Sequence, residues 1–515
     1  MQRKKLPIGI QTLREIREDN HYYVDKTPFA LRLINQGKYY FLSRPRRFGK
    51  SLFLDTLAEL FAGNQALFHG LYAEDHWDWS IKYPVIKISF GGGVVKDAAD
   101  LQVRLDAQLA YLEKTAGTAA STTSIPERFR NLIRHCAQTT GQRVAVLIDE
   151  YDKPILDRIE DSEKALGIRE KLKDLYSVIK DSDQFIKFAF LTGVSKFSKV
   201  SLFSGLNNLN DITIDAAYSA ICGYTEADVD TVFAPELAGL DRDEIRRWYN
   251  GYNWTGESVY NPYDLLLLFN KRTVRPWWFE TGTPTFLIKL LARRGFFTPN
   301  LAKLHTGLQI LSSFDIEAIA NEAILFQTGY LTILSVKEPI RGHPIYTLGY
   351  PNQEVETSLN AALLSGLGAD ATAAFNNRIR LADLLLANDL PAMQSLFHAF
   401  FASIPHDWYR NNPIAQYEGY WASIFYSYFA ALGLDIILED VTNQGRIDMT
   451  VRFNGHTWLF EFKVVELVPE GKAIEQLRSR NYAEKYKGSG PVHLVGVEFS
   501  RESRNILGFD TETIS

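Results

Sequence analysis

The chain has 515 residues, 46% of them hydrophobic and 23% charged, with a net charge of −5, which describes a soluble globular protein of several domains and not a strongly basic nucleic-acid binder. Its two cysteines, Cys136 and Cys222, have no neighbours at metal-ligand spacing, which excludes a zinc ribbon or disulfide scaffold and suits a reducing, cytoplasmic setting. Residues 1–19 are basic without the apolar stretch of a secretory signal, and no apolar run reaches the ~18 residues of a membrane helix, so no membrane partner is expected.

In chain order, Tyr22-Tyr23-Val24-Asp25-Lys26 precedes an amphipathic segment at 29–34, with Asp25 as its cap. Residues 39–42 form a buried strand, and apolar residues at helical spacing predict a helix over 51–61. Between them lies Arg44-Pro45-Arg46-Arg47-Phe48-Gly49-Lys50-Ser51. A Gly-Lys-Ser turn between strand and helix places free backbone N–H groups and the helix dipole on an anion. Lys50 is placed to reach the outer phosphates as a point charge, and the Ser51 hydroxyl to ligate the accompanying magnesium. The first position of the usual glycine-rich pattern is Arg44 here, and Arg46 and Arg47 add charge. The plain alternative is a basic turn that caps a helix.

A strand is expected over 84–90, ended by Gly91-Gly92-Gly93, then a helix over 101–111 and an exposed loop over 115–124. The run at 143–152 is a buried strand ending in Asp149-Glu150-Tyr151-Asp152. Ligands bind at the carboxyl ends of strands in open α/β sheets, so Asp149 is a magnesium ligand candidate and Glu150 a candidate to orient or activate water. The strand at 185–191 ends at Thr192, a candidate γ-phosphate sensor with an ordinary strand-end hydroxyl as the equal alternative. Alternating strands and helices over 39–215 predict a mostly parallel sheet covered by helices.

Residues 225–310 are expected to be mainly helical, opened by Thr225 with Asp228 three residues on. The aromatics at 248–252 and 277–279 fit packing, and Lys271, Arg272 and Arg275 fit a solvated face, with a charge offered to a neighbouring subunit's nucleotide as the sharper reading. A helix over 321–331 contains Gln327-Thr328-Gly329-Tyr330 and precedes strands at 331–336 and 345–350 around a Gly-His-Pro turn, a winged-helix pattern that suits DNA binding or a lid. Residues 351–405 are an alanine-rich helical connector.

A buried helix is expected over 421–431 with Glu418 at its start, then strands at 435–439, 445–453 and 457–465, with Asn454-Gly455 as a hairpin turn. Glu461 and Lys463 are two apart and share a face, and Asp448 comes from the adjacent strand. Burying such charges is costly unless they pair or bind a metal, so Asp448 and Glu461 are candidate magnesium ligands with Lys463 as the catalytic cation. A structural Lys–Glu–Asp network is the alternative. A helix over 473–486 carries Gln476, Arg478, Arg480 and Lys485, candidates for nucleic-acid phosphate contacts or a solvated face, and 492–499 is a closing strand.

Residues 5–215 resemble the bacterial and archaeal AAA-ATPase-like family through Leu6-Pro7-Ile8-Gly9, Tyr23-Val24-Asp25-Lys26-Thr27, the stretch Arg44 to Ser51 and the stretch Asp149 to Pro154. That family shows arginine at position 44. From about residue 410 the chain resembles the PD-(D/E)XK nuclease superfamily through Glu418, Gly445-Arg446-Ile447-Asp448, Glu461-Phe462-Lys463, Gln476 and Tyr482, with Ile447 where a proline is usual. The resemblances imply ATP and Mg2+ at Lys50, Ser51 and Asp149, hydrolysis through Glu150, metal (Mg2+, or Mn2+) at Glu418, Asp448 and Glu461, and catalysis through Lys463. The expected fold is α/β: an N-terminal P-loop parallel sheet with helices on both faces (1–215), a helical and winged-helix-like middle (216–350), a helical connector (351–405) and a restriction-endonuclease-like domain (406–515). The expected activity is ATP hydrolysis coupled to cleavage of nucleic acid, DNA above RNA, in DNA processing or mobile-element defence, with a homo-oligomer allowed. A nucleotide-controlled switch, or a DNA-binding regulator that binds without cutting, is the competing reading.

Overall fold

The computed structural model describes residues 3–120, 122–196, 202–203, 206–281, 287–288, 290–291, 294, 298–311, 320–366, 371–403, 418–500 and 502–514. It divides into two compact units, residues 1–278 with 305–352 and residues 279–304 with 353–515.

The first unit is built on five strands, β1 (Tyr39–Ser43), β2 (Val85–Ser89), β3 (Val144–Asp149), β4 (Ile186–Gly193) and β5 (Asn210–Asp211), in the order β2-β3-β4-β1-β5. Every pairing is parallel. All residues of β1 and β3 are buried, so these strands carry the unbroken apolar runs of a sheet covered on both faces. The longer helices of this region are α1 (Thr27–Gln36), α2 (Lys50–Phe61), α3 (Ala98–Thr115), α4 (Ile125–Thr140) and α5 (Ser162–Asp181). Asp25 accepts the Thr27 N–H at the start of α1, 2.8 Å away, and the Tyr72 N–H at 2.7 Å. β4 stands between β1 and β3, so the ends of all three meet at one edge.

Beyond the sheet come α6 (Glu226–Val232), α7 (Arg242–Tyr249) and α8 (Pro262–Lys271). Thr225 and Asp228 close a reciprocal capping box on α6. The N-terminal segment is part of this layer, since Tyr22 and Val24 share an apolar core with Val229, Phe233, Ile245, Leu265 and Phe269. Next, α9 (Asn321–Gln327) leads into the antiparallel hairpin β6 (Thr332–Ile340) and β7 (His343–Gly349). Its turn is at Arg341 and Gly342, not at Gly-His-Pro, because Gly342 takes the left-handed φ of +82° and lets His343 and Pro344 join β7.

In the second unit α10 (Gln353–Gly366), α11 (Ala371–Ala387), α12 (Leu390–Ser403) and α13 (Glu418–Ala430) precede a five-stranded mixed sheet. Its strands are β8 (Asp435–Val441), β9 (Arg446–Phe453), β10 (His456–Val465), β11 (Val492–Ser500) and β12 (Ile506–Ile514), in sequence order across the sheet. Only β10 and β11 run parallel, and α14 (Lys472–Ser479) makes the crossover between them. A Cβ on Gly496 of β11 would lie 2.4 Å from the Ile474 nitrogen, so glycine lets α14 rest on the sheet. On α13 the aromatic rings interlock: Phe397 stacks on Phe425 at 3.9 Å, and Trp421 stacks on Phe499 at 4.9 Å. The expected helix over 473–486 breaks, because Asn481 adopts φ +46° and the chain continues as a short 3₁₀ turn, Tyr482–Tyr486. The partly exposed edge strand β12 was not anticipated.

Candidate functional site

The loop between β1 and α2 is held from behind by Arg44. Its buried guanidinium donates to the carbonyls of Ser43 (2.8 Å), Thr213 (2.9 Å) and Tyr218 (3.0 Å) and lies 3.9 Å over the Trp254 ring. The arginine at the expected glycine position is therefore turned into the protein, away from the cleft. Phe48 is buried on Tyr252 and Trp254. Lys50 opens α2 and donates to the carbonyls of Arg44 and Pro45, each at 2.9 Å, and burial pulls its ammonium pKa down. Arg46 and Arg47 are exposed, and Arg47 sits 4.8 Å over Tyr263 at the start of α8.

This loop lines a cleft of about 540 Å3. Arg46 to Ser51, Glu150, Asp152 and Lys153 contribute its polar lining, and Ile10, Tyr22, Tyr23, Tyr224, Tyr263 and Leu266 its aromatic and apolar lining. Asp149 and Thr192 stand just behind the wall: the Thr192 hydroxyl donates to Asp149 Oδ1 at 2.7 Å, and both are buried. The Thr192 hydroxyl thus orients Asp149. Glu150 lies in the cleft with a left-handed φ of +53°, and burial, then the neighbouring Asp149 charge, pushes its carboxyl pKa up.

The sequence pattern gives Asp152 no role of its own. Its buried carboxylate accepts from the N–H groups of Val194 (3.1 Å) and Ser195 (2.6 Å) and from the Ser195 hydroxyl (2.6 Å). It thereby ties the acidic end of β3 to the segment that leaves β4. The signal was the second aspartate of Asp-Glu-Tyr-Asp, three residues after the first.

In the second unit Asp448 and Glu461 come from β9 and β10, with Lys463 two residues on. Asp448 Oδ2 accepts the Phe462 N–H at 2.8 Å, and burial pushes its carboxyl pKa up, against the pull of that N–H and of Lys463. Glu461 is buried, and its Oε1 accepts from Lys463 Nζ at 2.9 Å and from Gln476 Nε2 on α14. Four predicted site residues therefore meet on one face of the sheet. Glu498, which sequence reasoning passed over, is fully buried on β11 opposite Lys463 and accepts from the N–H groups of Glu470 (2.5 Å), Gly471 (3.1 Å) and Ala473 (3.3 Å). It caps α14, the helix that carries Gln476. The lone acid in the apolar run of β11 was the available signal.

The side chain of Glu418 lies outside the described residues. Among the described residues no group of three or more His, Cys, Asp or Glu side chains is gathered for a metal ion. Three basic residues after Gln476 are already partnered: Arg478 pairs with Glu512 (2.5 Å), Arg480 donates to the Gln444 carbonyl (3.3 Å), and Lys485 pairs with the buried Asp440. Gln476 faces Glu461, so it belongs to the acidic site.

A loop with Gly-Lys-Ser at the end of one strand, and acids two strands away, define a P-loop ATPase fold. Residues 7–203 match the family model described as a predicted AAA-ATPase, and residues 416–508 match that of the PD-(D/E)XK nuclease superfamily. The chain belongs to the AAA-ATPase-like family and joins that domain to a PD-(D/E)XK nuclease superfamily domain. It is 63% identical over 516 residues, spanning all of both chains, to an "Uncharacterized protein in vnfD 5'region" of Azotobacter chroococcum mcd 1. No helix among the described residues is long and apolar enough to cross a membrane.

Proposed function

We propose that the chain is an ATP-hydrolysing protein that controls metal-dependent hydrolysis of nucleic acid, with DNA as the substrate. The observation that carries it is the meeting of Asp448, Glu461, Lys463 and Gln476 on one sheet face in a chain that also holds the cleft of Lys50 and Glu150, with Asp149 behind its wall. A purely binding fold has no need of two carboxylates and a lysine so arranged.

Both donor sets fit the expected groups. Asp149, fixed by Thr192, and the Ser51 hydroxyl at the start of α2 are hard oxygen donors that suit Mg2+. Asp448 and Glu461 would hold Mg2+ or Mn2+, whose charge would offset the burial that raises the Asp448 pKa. When bound, such an ion acidifies water and polarises a phosphodiester. Lys463 holds Glu461 and offers positive charge to a phosphate or a developing anion. In the cleft, Lys50 exchanges its loop carbonyls for phosphate oxygens, and Glu150, with its basicity raised by burial, takes the proton of the attacking water.

The test is cleavage of plasmid DNA, linear DNA and RNA with Mg2+ or Mn2+, with and without ATP, for the wild type, Lys463→Ala and Lys50→Ala. Loss of cutting by at least a hundredfold in Lys463→Ala identifies the nuclease site, and loss of the ATP effect in Lys50→Ala identifies the gate. If ATP is hydrolysed while no nucleic acid is cut, the nucleotide-switch reading takes its place.

A further inference from the structure

Gln327-Thr328-Gly329-Tyr330 has no role in the mechanism above. It joins α9 to the hairpin β6–β7, yet its contacts run to the nucleotide cleft. Gln327 is 4% exposed, and its Oε1 accepts the Lys196 N–H at 2.8 Å while its Nε2 donates to the Leu311 carbonyl at 2.9 Å. Lys196 directly follows Ser195, which Asp152 binds. One amide side chain therefore holds the segment that leaves β4, beside the strand end that orients Asp149.

Two residues on, Gly329 presses on the phosphate loop itself. It has φ +90°, and a Cβ there would lie 2.6 Å from Pro45 Cγ. Trp278 completes the contact, since its Nε1 donates to the Arg46 carbonyl at 3.1 Å and its ring lies 5.4 Å from that of Tyr330. Two parts of the cleft, the phosphate loop and the segment that leaves β4, are thus braced by one turn. An element packed on two ligand-binding segments shifts with them, because close-packed contacts transmit displacement.

We propose that residues 327–330 are a positioning element of the nucleotide site: Gln327 fixes the segment after β4, Gly329 fixes the phosphate loop, and bound nucleotide is felt through this turn at the β6–β7 hairpin. The inference rests on the ATP reading of the cleft, so the experiment separates the two. Amide hydrogen exchange of the full chain is followed by mass spectrometry with and without Mg-ATP, in peptides covering 43–55 and 325–335. Mg-ATP is expected to slow exchange at least threefold in both peptides, and Lys50→Ala to abolish both effects. Slowing in 43–55 alone overturns the inference and leaves the ATP reading standing. Slowing in neither overturns both.

Variants add a kinetic readout. Gln327→Leu removes the acceptor of the Lys196 N–H and is expected to lower kcat for ATP about tenfold, with one fluorescent ATP analogue still bound per chain and little change in KM. Gln327→Glu keeps that acceptor but sets a carboxyl oxygen against the Leu311 carbonyl, so its kcat is expected to fall between those of Gln327→Leu and the wild type. An unchanged kcat in Gln327→Leu overturns the role given to Gln327, as does a kcat lost only in proportion to lost binding stoichiometry. Should Gln327→Leu not fold, Gly329→Ala serves, with KM for ATP expected to rise at least fivefold and an unchanged KM overturning the role of the turn.

Discussion

Three backbone carbonyls, of Ser43, Thr213 and Tyr218, converge on the Arg44 guanidinium beneath the phosphate loop. Burial pulls that guanidinium pKa down to about 10, yet it remains charged at neutral pH. Removing it leaves buried acceptors unpaired, at about 1–3 kcal/mol each before relaxation. Arg44→Ala is therefore expected to lower unfolding stability by about 3 kcal/mol, and Arg44→Lys by nearly as much, because an ammonium lacks the planar fork that meets three carbonyls and stacks on Trp254. Urea midpoints followed by tryptophan fluorescence check this. Unchanged midpoints with ATP binding lost would mean that the guanidinium serves phosphate instead. Charge and position marked residue 44 as part of the loop, but which way a long cationic side chain turns depends on carbonyls far along the chain, and no local pattern encodes them.

At the scale of elements, β10 shows what periodicity can and cannot convey. Alternation places Glu461 and Lys463 on one face, and Phe460 and Phe462 stack on the other, which meets α13. The same alternation puts His456 and Trp458 at the far end of that aromatic face, where His456 Nδ1 lies 2.8 Å from His493 Nε2 and His493 Nδ1 lies 2.9 Å from Thr513 Oγ1. Burial, then His456, pushes His493 down to about 4 from its ordinary 6.5. The folded state thus holds His493 neutral where the unfolded chain would take a proton. This contribution is complete above about pH 6.5 and is lost as pH falls toward 4, by up to about 3 kcal/mol. The urea midpoint of the C-terminal transition is expected to fall between pH 7.5 and 5, and His493→Gln to flatten that fall. An equal slope in both proteins would assign the pH dependence to other groups. Strands 1 to 4 and 6 to 11 were legible because apolar runs and turn signals are local. The insertion of β4 between β1 and β3, and the edge strand β12, were not, since sheet order and edge pairing are settled by long-range contacts.

For the whole molecule, the division of the chain departs from its linear order. The chain leaves the first unit after Trp278 and returns to it at His305, so the second unit takes residues 279–304 as well as 353–515. Composition suggested a connector over 351–405 and a separate domain from 406, but α12 covers the apolar face of α13: Phe397 lies on Phe425, Phe400 on Tyr428 at 5.0 Å, and Phe401 on Trp421 at 4.9 Å. Exposing a buried phenylalanine costs about 1.5–3 kcal/mol, so three such losses approach the whole stability of a domain. A fragment of residues 406–515 is therefore expected to bind a hydrophobic dye and unfold without a cooperative transition, although it contains Asp448, Glu461 and Lys463. A fragment of residues 353–515 keeps α10 to α13 together and is expected to unfold cooperatively. It still lacks Thr298, whose hydroxyl donates to the Ser423 carbonyl at 3.1 Å, so its midpoint should lie below that of the same transition in the full chain. Circular dichroism on urea titration of the two fragments decides the matter. A cooperative 406–515 fragment would show that the nuclease-like fold stabilises itself and that the helices before it serve another purpose.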